Sequence, residues 1–179
     1  MSIKVGDPAP PVTVEAYVRA EADPVTMELG RPGGSWTVLF FYPRDFTFVC
    51  PTELRGFAEH EADFALEGAA VVAASTDSWH VHRAWLETSP GLTGIHYPVV
   101  ADPSQELTRL YGVLDYDDGS AMRATFIIDP SGIVRHASVT DANVGRNPEE
   151  TLRILKALRT GELCPVSWKP GQPTLQVAA

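Results

Sequence analysis

Short continuous apolar runs alternate along the chain with segments whose apolar residues recur at helical spacing. The continuous runs are rich in β-forming or small apolar residues and are bounded by glycine, proline or turn residues, which predicts buried strands. The predicted strands are Trp36–Tyr42, Ala69–Ser75, His96–Val100, Thr125–Asp129 and Ile133–Val139. The last two are joined by Asp129-Pro130-Ser131-Gly132, a four-residue turn sequence.

The helical segments lie between these strands. In the first of them, Leu54, Phe57, Phe64 and neighbouring alanines fit a period of 3.6 residues, and Pro51 suits a first helical turn, where no N–H is needed. The predicted helices cover Pro51–Leu66, Ser78–Glu87, Asp102–Tyr111 and a last stretch from Asn147-Pro148 to Gly161. Glycine or proline marks the end of each helix.

The resulting order, β-α-β-α-β-α-β-β-α, predicts an α/β fold with a mixed central sheet flanked by helices. A chain of 179 residues is long enough for one domain with a full core. We expect residues 1–160 to form that domain. Residues 161–179, rich in proline and glycine, are expected to form a C-terminal surface tail.

Composition and charge exclude several classes of function. No segment approaches the ~20 apolar residues of a membrane helix, and the first seven residues lack the apolar segment of a signal peptide. We therefore expect a cytoplasmic protein without a membrane partner. The net charge is −9 and no Lys/Arg cluster occurs, which argues against nucleic acid as a partner.

Cys50 and Cys164 are the two cysteines of the chain, too few for a disulfide scaffold or a cysteine zinc site. Taken alone, two such cysteines are most often inert thiols. His80 and His82 lack the spacing of a helical zinc pair, and the segment 115–119 lacks the full pattern of a calcium loop. We expect core or surface histidines, a turn, and no metal, flavin or nucleotide cofactor.

Cys50 stands immediately before Pro51, where a strand gives way to a helix. Unpaired N–H groups and the helix dipole favour an anion at such a position, and the thiolate is the nucleophilic form of cysteine. The Thr47 hydroxyl, three residues earlier, is expected to reach back over the sulfur. Pro43 would help to exclude water from the pocket, and Glu53 suits the first helical turn.

The pattern PxxxTxxC, here Pro43, Thr47 and Cys50, followed by Pro-Thr-Glu, resembles the active site of the peroxiredoxins. The resemblance is strongest to the typical two-cysteine group that includes the peroxidase subunit of alkyl hydroperoxide reductase, and it extends from Gly6-Asp7-Pro8 to Glu162-Leu163-Cys164-Pro165. It implies a thioredoxin-like fold and an enzyme that reduces hydrogen peroxide and organic hydroperoxides through a sulfenic acid on Cys50.

The same resemblance assigns roles to two arginines. Arg123, at the start of a predicted strand, matches the family arginine that is brought to the sulfur from a distant strand, and Arg146 resembles a second arginine near the site. Physically, a guanidinium stabilises a thiolate and can hold peroxide oxygens. Arg123, Thr47 and the Cys50 N–H would stabilise the charge that develops on the two oxygens.

Cys164 matches the resolving cysteine of this group, which forms a disulfide with the peroxidatic cysteine of a partner subunit. The resemblance implies an antiparallel homodimer, which the family often gathers into rings of five through residues such as Thr76–Trp85 and the loop before Cys50. We expect the Cys164 segment to be exposed, and both cysteine segments to unfold locally when they meet. Thioredoxin, another disulfide reductase or a small dithiol partner would recycle the enzyme.

Two features depart from members that are sensitive to overoxidation. The loop that contains GGLG in those members is Pro90-Gly91-Leu92-Thr93-Gly94 here, and the chain ends without their Tyr-Phe helix. We therefore expect rapid disulfide formation and resistance to overoxidation. Two other functions stay open: a holdase chaperone formed by the oligomer, and a thiol–disulfide oxidoreductase, which the absence of CxxC disfavours.

Overall fold

The computed structural model describes residues 3–176. Two predictions fall partly outside the described residues. They are the absence of a leader, which concerns residues 1 and 2, and the absence of a Tyr-Phe helix, which concerns residues 177–179. The strands are β1 (Val12–Tyr17), β2 (Val25–Leu29), β3 (Trp36–Phe41), β4 (Ala69–Ser75), β5 (Val99–Ala101), β6 (Arg123–Ile128) and β7 (Val134–Thr140). The helices are α1 (Cys50–Glu59), α2 (Glu61–Leu66), α3 (Trp79–Thr88), α4 (Glu106–Leu110) and α5 (Pro148–Thr160), with a 3-10 turn at Pro90–Leu92.

All seven strands form one mixed sheet in the order β2-β1-β5-β4-β3-β6-β7. β3, β4 and β5 run parallel to one another, whereas the flanking strands pair antiparallel. Side chains alternate across β3, so that Val38 and Phe40 join one core and Leu39 and Phe41 the other. Residues of α1, α2, α3 and α5 pack in the first core, and Leu107 of α4 packs in the second. The predicted thioredoxin-like α/β fold is confirmed.

The structure differs from the prediction in four places, one of which is the strand predicted over His96–Val100, which covers only Val99–Ala101. The β1–β2 hairpin was not predicted, because prolines at positions 8, 10, 11 and 24 precede its two strands and most of β2 is exposed. The helix predicted over Pro51–Leu66 divides at His60, whose backbone leaves the helical region. The helix predicted from Asp102 starts only at Glu106, because Gln105 before it has φ 60.

Among residues 3–176, every helix is too short or too polar to cross a membrane.

Candidate active site

Cys50 is the first residue of α1 and is fully buried at the end of β3 farthest from the turn at Asp129. Pro51 follows it in the first turn, where its missing N–H leaves no hydrogen bond unmade. β3 lies inside the sheet and is buried on both faces. The loop that leads to Cys50 therefore begins at a strand that is held from both sides. The thiol is free and stands at the positive end of the α1 dipole.

Arg123 reaches this sulfur from β6, the antiparallel neighbour of β3. Its Nη1 donates a hydrogen bond to Cys50 Sγ at 3.4 Å and a second to Glu53 Oε2 at 2.5 Å, while its Nε donates to the Ala142 carbonyl oxygen at 2.7 Å. Only 4% of the Arg123 side chain is exposed. The guanidinium is thus fixed beside the sulfur in a place where water screens its charge little.

Glu53 joins two arginines beneath the sulfur. Its Oε1 accepts hydrogen bonds from the backbone N–H of Arg146 at 2.9 Å and from Arg146 Nε at 2.7 Å. Its Oε2 accepts from Arg146 Nη2 at 2.9 Å as well as from Arg123. Sequence reasoning placed Glu53 as a partner of the helix dipole. The structure shows that it also holds both arginines in place, with 1% of its side chain exposed.

Electrostatics decide the protonation of this carboxyl. Burial by itself would raise the pKa of Glu53, but the hydrogen bonds and charge of Arg146, together with the charge of Arg123, outweigh it and lower the pKa below its ordinary value. Arg146 is held further by Nη1, which donates to the Ala124 carbonyl oxygen at 2.7 Å, and its guanidinium lies 5.3 Å from the Phe40 ring centroid. Glu53 is therefore a carboxylate over the ordinary pH range.

We predict that Glu53→Gln lowers the free energy of unfolding by about 3–5 kcal/mol, because it leaves two buried guanidinium groups without their carboxylate. The pKa of Glu53 is lower in the folded chain than in the unfolded chain. Its stabilising contribution is therefore complete above the unfolded value of about 4.3 and is lost as the pH falls through the folded value. Urea unfolding of the native chain and Glu53→Gln, at neutral pH and below about pH 4, should show the difference narrowing in acid. A constant difference at both pH values would contradict the assignment.

Pro43 and Thr47 lie on the segment between β3 and α1, which we name the Pro43–Val49 loop. Pro43 is half-buried and lines a groove next to Arg123, shared with Met122, Val139 and Ala142. The Thr47 side chain is exposed, and its hydroxyl donates to the Arg44 carbonyl oxygen at 2.9 Å. This bond leaves the oxygen lone pairs of the hydroxyl open to a hydrogen-bond donor, while its expected reach over the sulfur stays a prediction of the sequence.

Cys164 follows α5 in the tail, and it does not have the exposed surroundings expected from the sequence. Its side chain is half-buried, and its thiol donates to the Ala157 carbonyl oxygen at 3.8 Å. The tail folds back on itself, because Leu163 pairs with Leu175 and Trp168 is almost fully buried. Like Cys50, Cys164 is a free thiol. Proline and glycine content predicted a surface tail but could not show this folding against α5.

Two further sequence features considered as metal sites, the histidines of α3 and the segment 115–119, have structural roles. His80 is exposed and His82 is fully buried, as expected of a surface and a core residue. The segment 115–119 is a turn, closed by a bond from the Gly119 N–H to the Asp115 carbonyl oxygen at 2.9 Å. In the described part of the chain, His, Cys, Asp and Glu side chains form no group of three or more that could hold a metal ion.

The chain as a whole is similar to known proteins in sequence and in fold. The sequence pattern of the AhpC/TSA family matches residues 5–137. The chain belongs to that family. It is a peroxiredoxin of the AhpC type, an oxidoreductase that reduces peroxides.

Individual relatives agree with this assignment. A putative peroxiredoxin of Bacillus subtilis, YkuU, is 46% identical over 175 residues, which cover 96% of this chain and 97% of the relative. A thioredoxin peroxidase of Echinococcus granulosus is 41% identical over 186 residues, which cover 100% of this chain and 95% of the relative. The reduced 2-Cys peroxiredoxin of Plasmodium vivax superposes with a TM-score of 0.89 at 32% identity, covering 95% of this chain and 91% of the other.

Proposed function

We propose that this peroxiredoxin uses Cys50 as its peroxidatic cysteine and Cys164, on the tail 161–179, as its resolving cysteine. One observation carries the proposal: the Arg123 guanidinium donates to the sulfur of a buried thiol at the start of α1. A guanidinium and a helix start both stabilise the thiolate, the form that attacks peroxides. Cys164 lies on a different element, and within residues 3–176 the hydrogen-bond partners of its sulfur are the Thr160 hydroxyl and the Ala157 carbonyl oxygen rather than a guanidinium.

The first step forms one S–O bond. The Cys50 thiolate attacks one peroxide oxygen, the O–O bond breaks, and water or an alcohol leaves after taking up a proton. Cys50 becomes a sulfenic acid. Arg123 and the Cys50 N–H donate to the oxygens as charge develops, and the Thr47 oxygen accepts a hydrogen bond from the protonated one. Pro43 keeps water from the thiolate, while Glu53 and Arg146 hold Arg123 in place.

The second step forms a disulfide. The Cys164 thiol of a partner subunit attacks the Cys50 sulfur, and water leaves. Both segments must open first, because Cys50 is buried in α1 and Cys164 is half-buried in a folded tail. An antiparallel homodimer supplies the partner, and β7 supports this because it lies at an edge of the sheet with one side unpaired. Assembly of five dimers into a ring would follow the family pattern.

A dithiol then reduces the disulfide and restores both thiols. The Echinococcus granulosus relative is named a thioredoxin peroxidase, which supports a thioredoxin-type reductant over a dedicated disulfide reductase here. No cofactor takes part in this cycle, because the two electrons come from the thiols. A cytoplasmic location and resistance to overoxidation stay predictions of the sequence.

We predict that one equivalent of hydrogen peroxide converts the reduced protein to a covalent dimer. Non-reducing gel electrophoresis measures this directly, and dithiothreitol should reverse it. Cys50→Ser alone and Cys164→Ser alone should give no disulfide-linked dimer, because each lacks one of the two thiols. An equal mixture of the two should give dimers joined by a single Cys50–Cys164 bond. A disulfide within one chain, or dimers that form without Cys164, would contradict the proposed resolving step.

A further inference from the structure

A buried polar pair joins the Pro43–Val49 loop to α3, and the proposed reaction does not use it. Asp45 Oδ2 lies 2.7 Å from Nδ1 of His82, a residue of α3, and Asp45 Oδ1 accepts a hydrogen bond from the Tyr42 hydroxyl at 2.6 Å. The two side chains are 1% and 0% exposed. We name these two residues the Asp45–His82 pair.

The hydrogen bonds of this pair are complete. Nε2 of His82 lies 3.1 Å from the Val100 carbonyl oxygen, which can only accept, so Nε2 carries a hydrogen. One further proton is shared between Nδ1 and the Asp45 carboxyl, and it forms their mutual bond whichever atom holds it. Removing either side chain would leave a buried polar group without its partner, an arrangement that folded proteins avoid.

Asp45 is also fixed through its main chain. Its N–H donates to Asp77 Oδ2 at 2.9 Å, and the Ser75 hydroxyl at the end of β4 donates to the same oxygen at 2.8 Å. The next residue, Phe46, has φ 55, a left-handed conformation that residues with a side chain rarely adopt. Such a conformation persists only where its surroundings fix it; the bonds of Asp45 hold the preceding residue, and the Phe46 ring lies 6.0 Å from the Trp85 ring.

These contacts of Asp45 also restrict the position of Thr47, which lies two residues later. Its hydroxyl donates to the Arg44 carbonyl oxygen, so the segment 44–47 is one hydrogen-bonded unit, anchored inward by the Asp45–His82 pair and by the bond from the Asp45 N–H to Asp77. Arg123, in contrast, is held by Glu53 and by the Ala142 carbonyl oxygen. The pair therefore controls the Thr47 side of the site and leaves the arginine side untouched.

We propose that the Asp45–His82 pair positions Thr47 for the reaction of Cys50 with peroxide. Both are positioning residues, because neither contacts the sulfur. The inference rests on the proposed function, in which the Cys50 thiolate attacks a peroxide and the Thr47 oxygen accepts a hydrogen bond from the protonated peroxide oxygen. It predicts that weakening the pair slows the peroxide reaction while leaving the thiolate intact.

The test compares two reactions of the same sulfur in the full chain: oxidation by hydrogen peroxide and alkylation by iodoacetamide, which needs the thiolate but not Thr47. Asp45→Ala should slow oxidation by about 10–100-fold, the scale of a misplaced catalytic group. It should change alkylation by less than about threefold. Asp45→Asn should oxidise within about threefold of the native rate. Its amide oxygen can accept from Tyr42, and its N–H can donate to Nδ1 of a neutral His82.

Two further variants separate positioning from general weakening. Asp129→Ala removes another buried carboxylate, in the turn between β6 and β7 at the far end of the sheet, and should leave oxidation unchanged. Adding Asp45→Ala to Thr47→Val should slow oxidation by less than a further threefold or so, because Asp45 acts through Thr47. If Asp45→Ala does not fold, Tyr42→Phe removes one bond to Asp45 and should slow oxidation selectively.

Three results would overturn the inference. The first is equal slowing of oxidation and alkylation in Asp45→Ala, and the second is an Asp45→Asn variant that oxidises as slowly as Asp45→Ala. The third is a double variant whose oxidation is slowed by the product of the factors measured for Asp45→Ala and Thr47→Val. An unchanged oxidation rate in both Asp45→Ala and Tyr42→Phe would do the same. Failure of the proposed function is a different result, because then the native Cys50 would itself not react rapidly with peroxide, and the inference would fall with it.

Discussion

Replacing Cys50 with serine is expected to abolish peroxide consumption, although the fold around residue 50 stays intact. Serine occupies nearly the same volume in the buried position at the start of α1, so packing changes little. A hydroxyl, however, is a far weaker acid than a thiol and therefore supplies far less of the anion that attacks peroxides. The measurement is hydrogen peroxide consumption with a dithiol reductant.

Cys164→Ser is the matched control for this experiment. It removes the other thiol but leaves the Arg123 contact to Cys50 in place, so one rapid turnover should remain, with continued turnover only when dithiothreitol replaces the resolving thiol. Peroxide consumption by Cys50→Ser at the native rate would contradict the assignment. Protection of a client protein from aggregation by that same variant would instead identify a separate holdase function.

Arg123→Gln is expected to lower the rate constant for oxidation of Cys50 by about 10²–10³-fold, the usual effect of removing one donor aimed at developing charge. The glutamine amide cannot supply the positive charge beside the sulfur, and Glu53 loses one of its two cationic partners. Stopped-flow mixing of the reduced protein with hydrogen peroxide measures this step. Arg123→Lys should recover only part of the loss, since an ammonium group cannot reproduce the fork that contacts three groups at once.

Arg135→Gln provides a comparison of equal chemistry at the opposite end of the sheet. Arg135 pairs with Asp129 at 2.6 Å beside the β6–β7 turn, and 47% of its side chain is exposed. Its loss should change the oxidation rate by less than about threefold. An Arg123→Gln variant that oxidises as fast as Arg135→Gln would show that the bond from Arg123 to Cys50 has no role in catalysis.

Much of the fold was predictable because the signals are local. β3 and β4 are continuous apolar runs with clear boundaries, and the leucines of α5 recur at helical spacing. β1 and β2 were missed because prolines precede them and most side chains of β2 are exposed. These strands form because they pair with each other and, for β1, with β5, which the sequence of either strand alone does not reveal. Register between distant strands is not visible in a single strand's pattern.

The residues of the candidate site likewise fall into two groups: those that a local sequence pattern reveals and those that only the tertiary fold brings together. Cys50, Pro51 and Thr47 are neighbours in sequence, so the chemistry of a thiol at a helix start was visible before the fold was known. The bridge from Glu53 to Arg123 and Arg146 spans 70 and 93 residues, and only the tertiary fold brings those charges together. His82 shows the same limit, because its partner Asp45 lies 37 residues away.

The most direct test of the central claim is the site at which peroxide first oxidises the protein. The reduced native chain and reduced Cys164→Ser should each be mixed with one equivalent of hydrogen peroxide in the presence of dimedone, which traps sulfenic acids, and the labelled peptide identified by mass spectrometry. The structure predicts a single adduct, on Cys50. Consumption of the peroxide without an adduct on Cys50, or an adduct on Cys164 as the first product in the otherwise native chain, would contradict it.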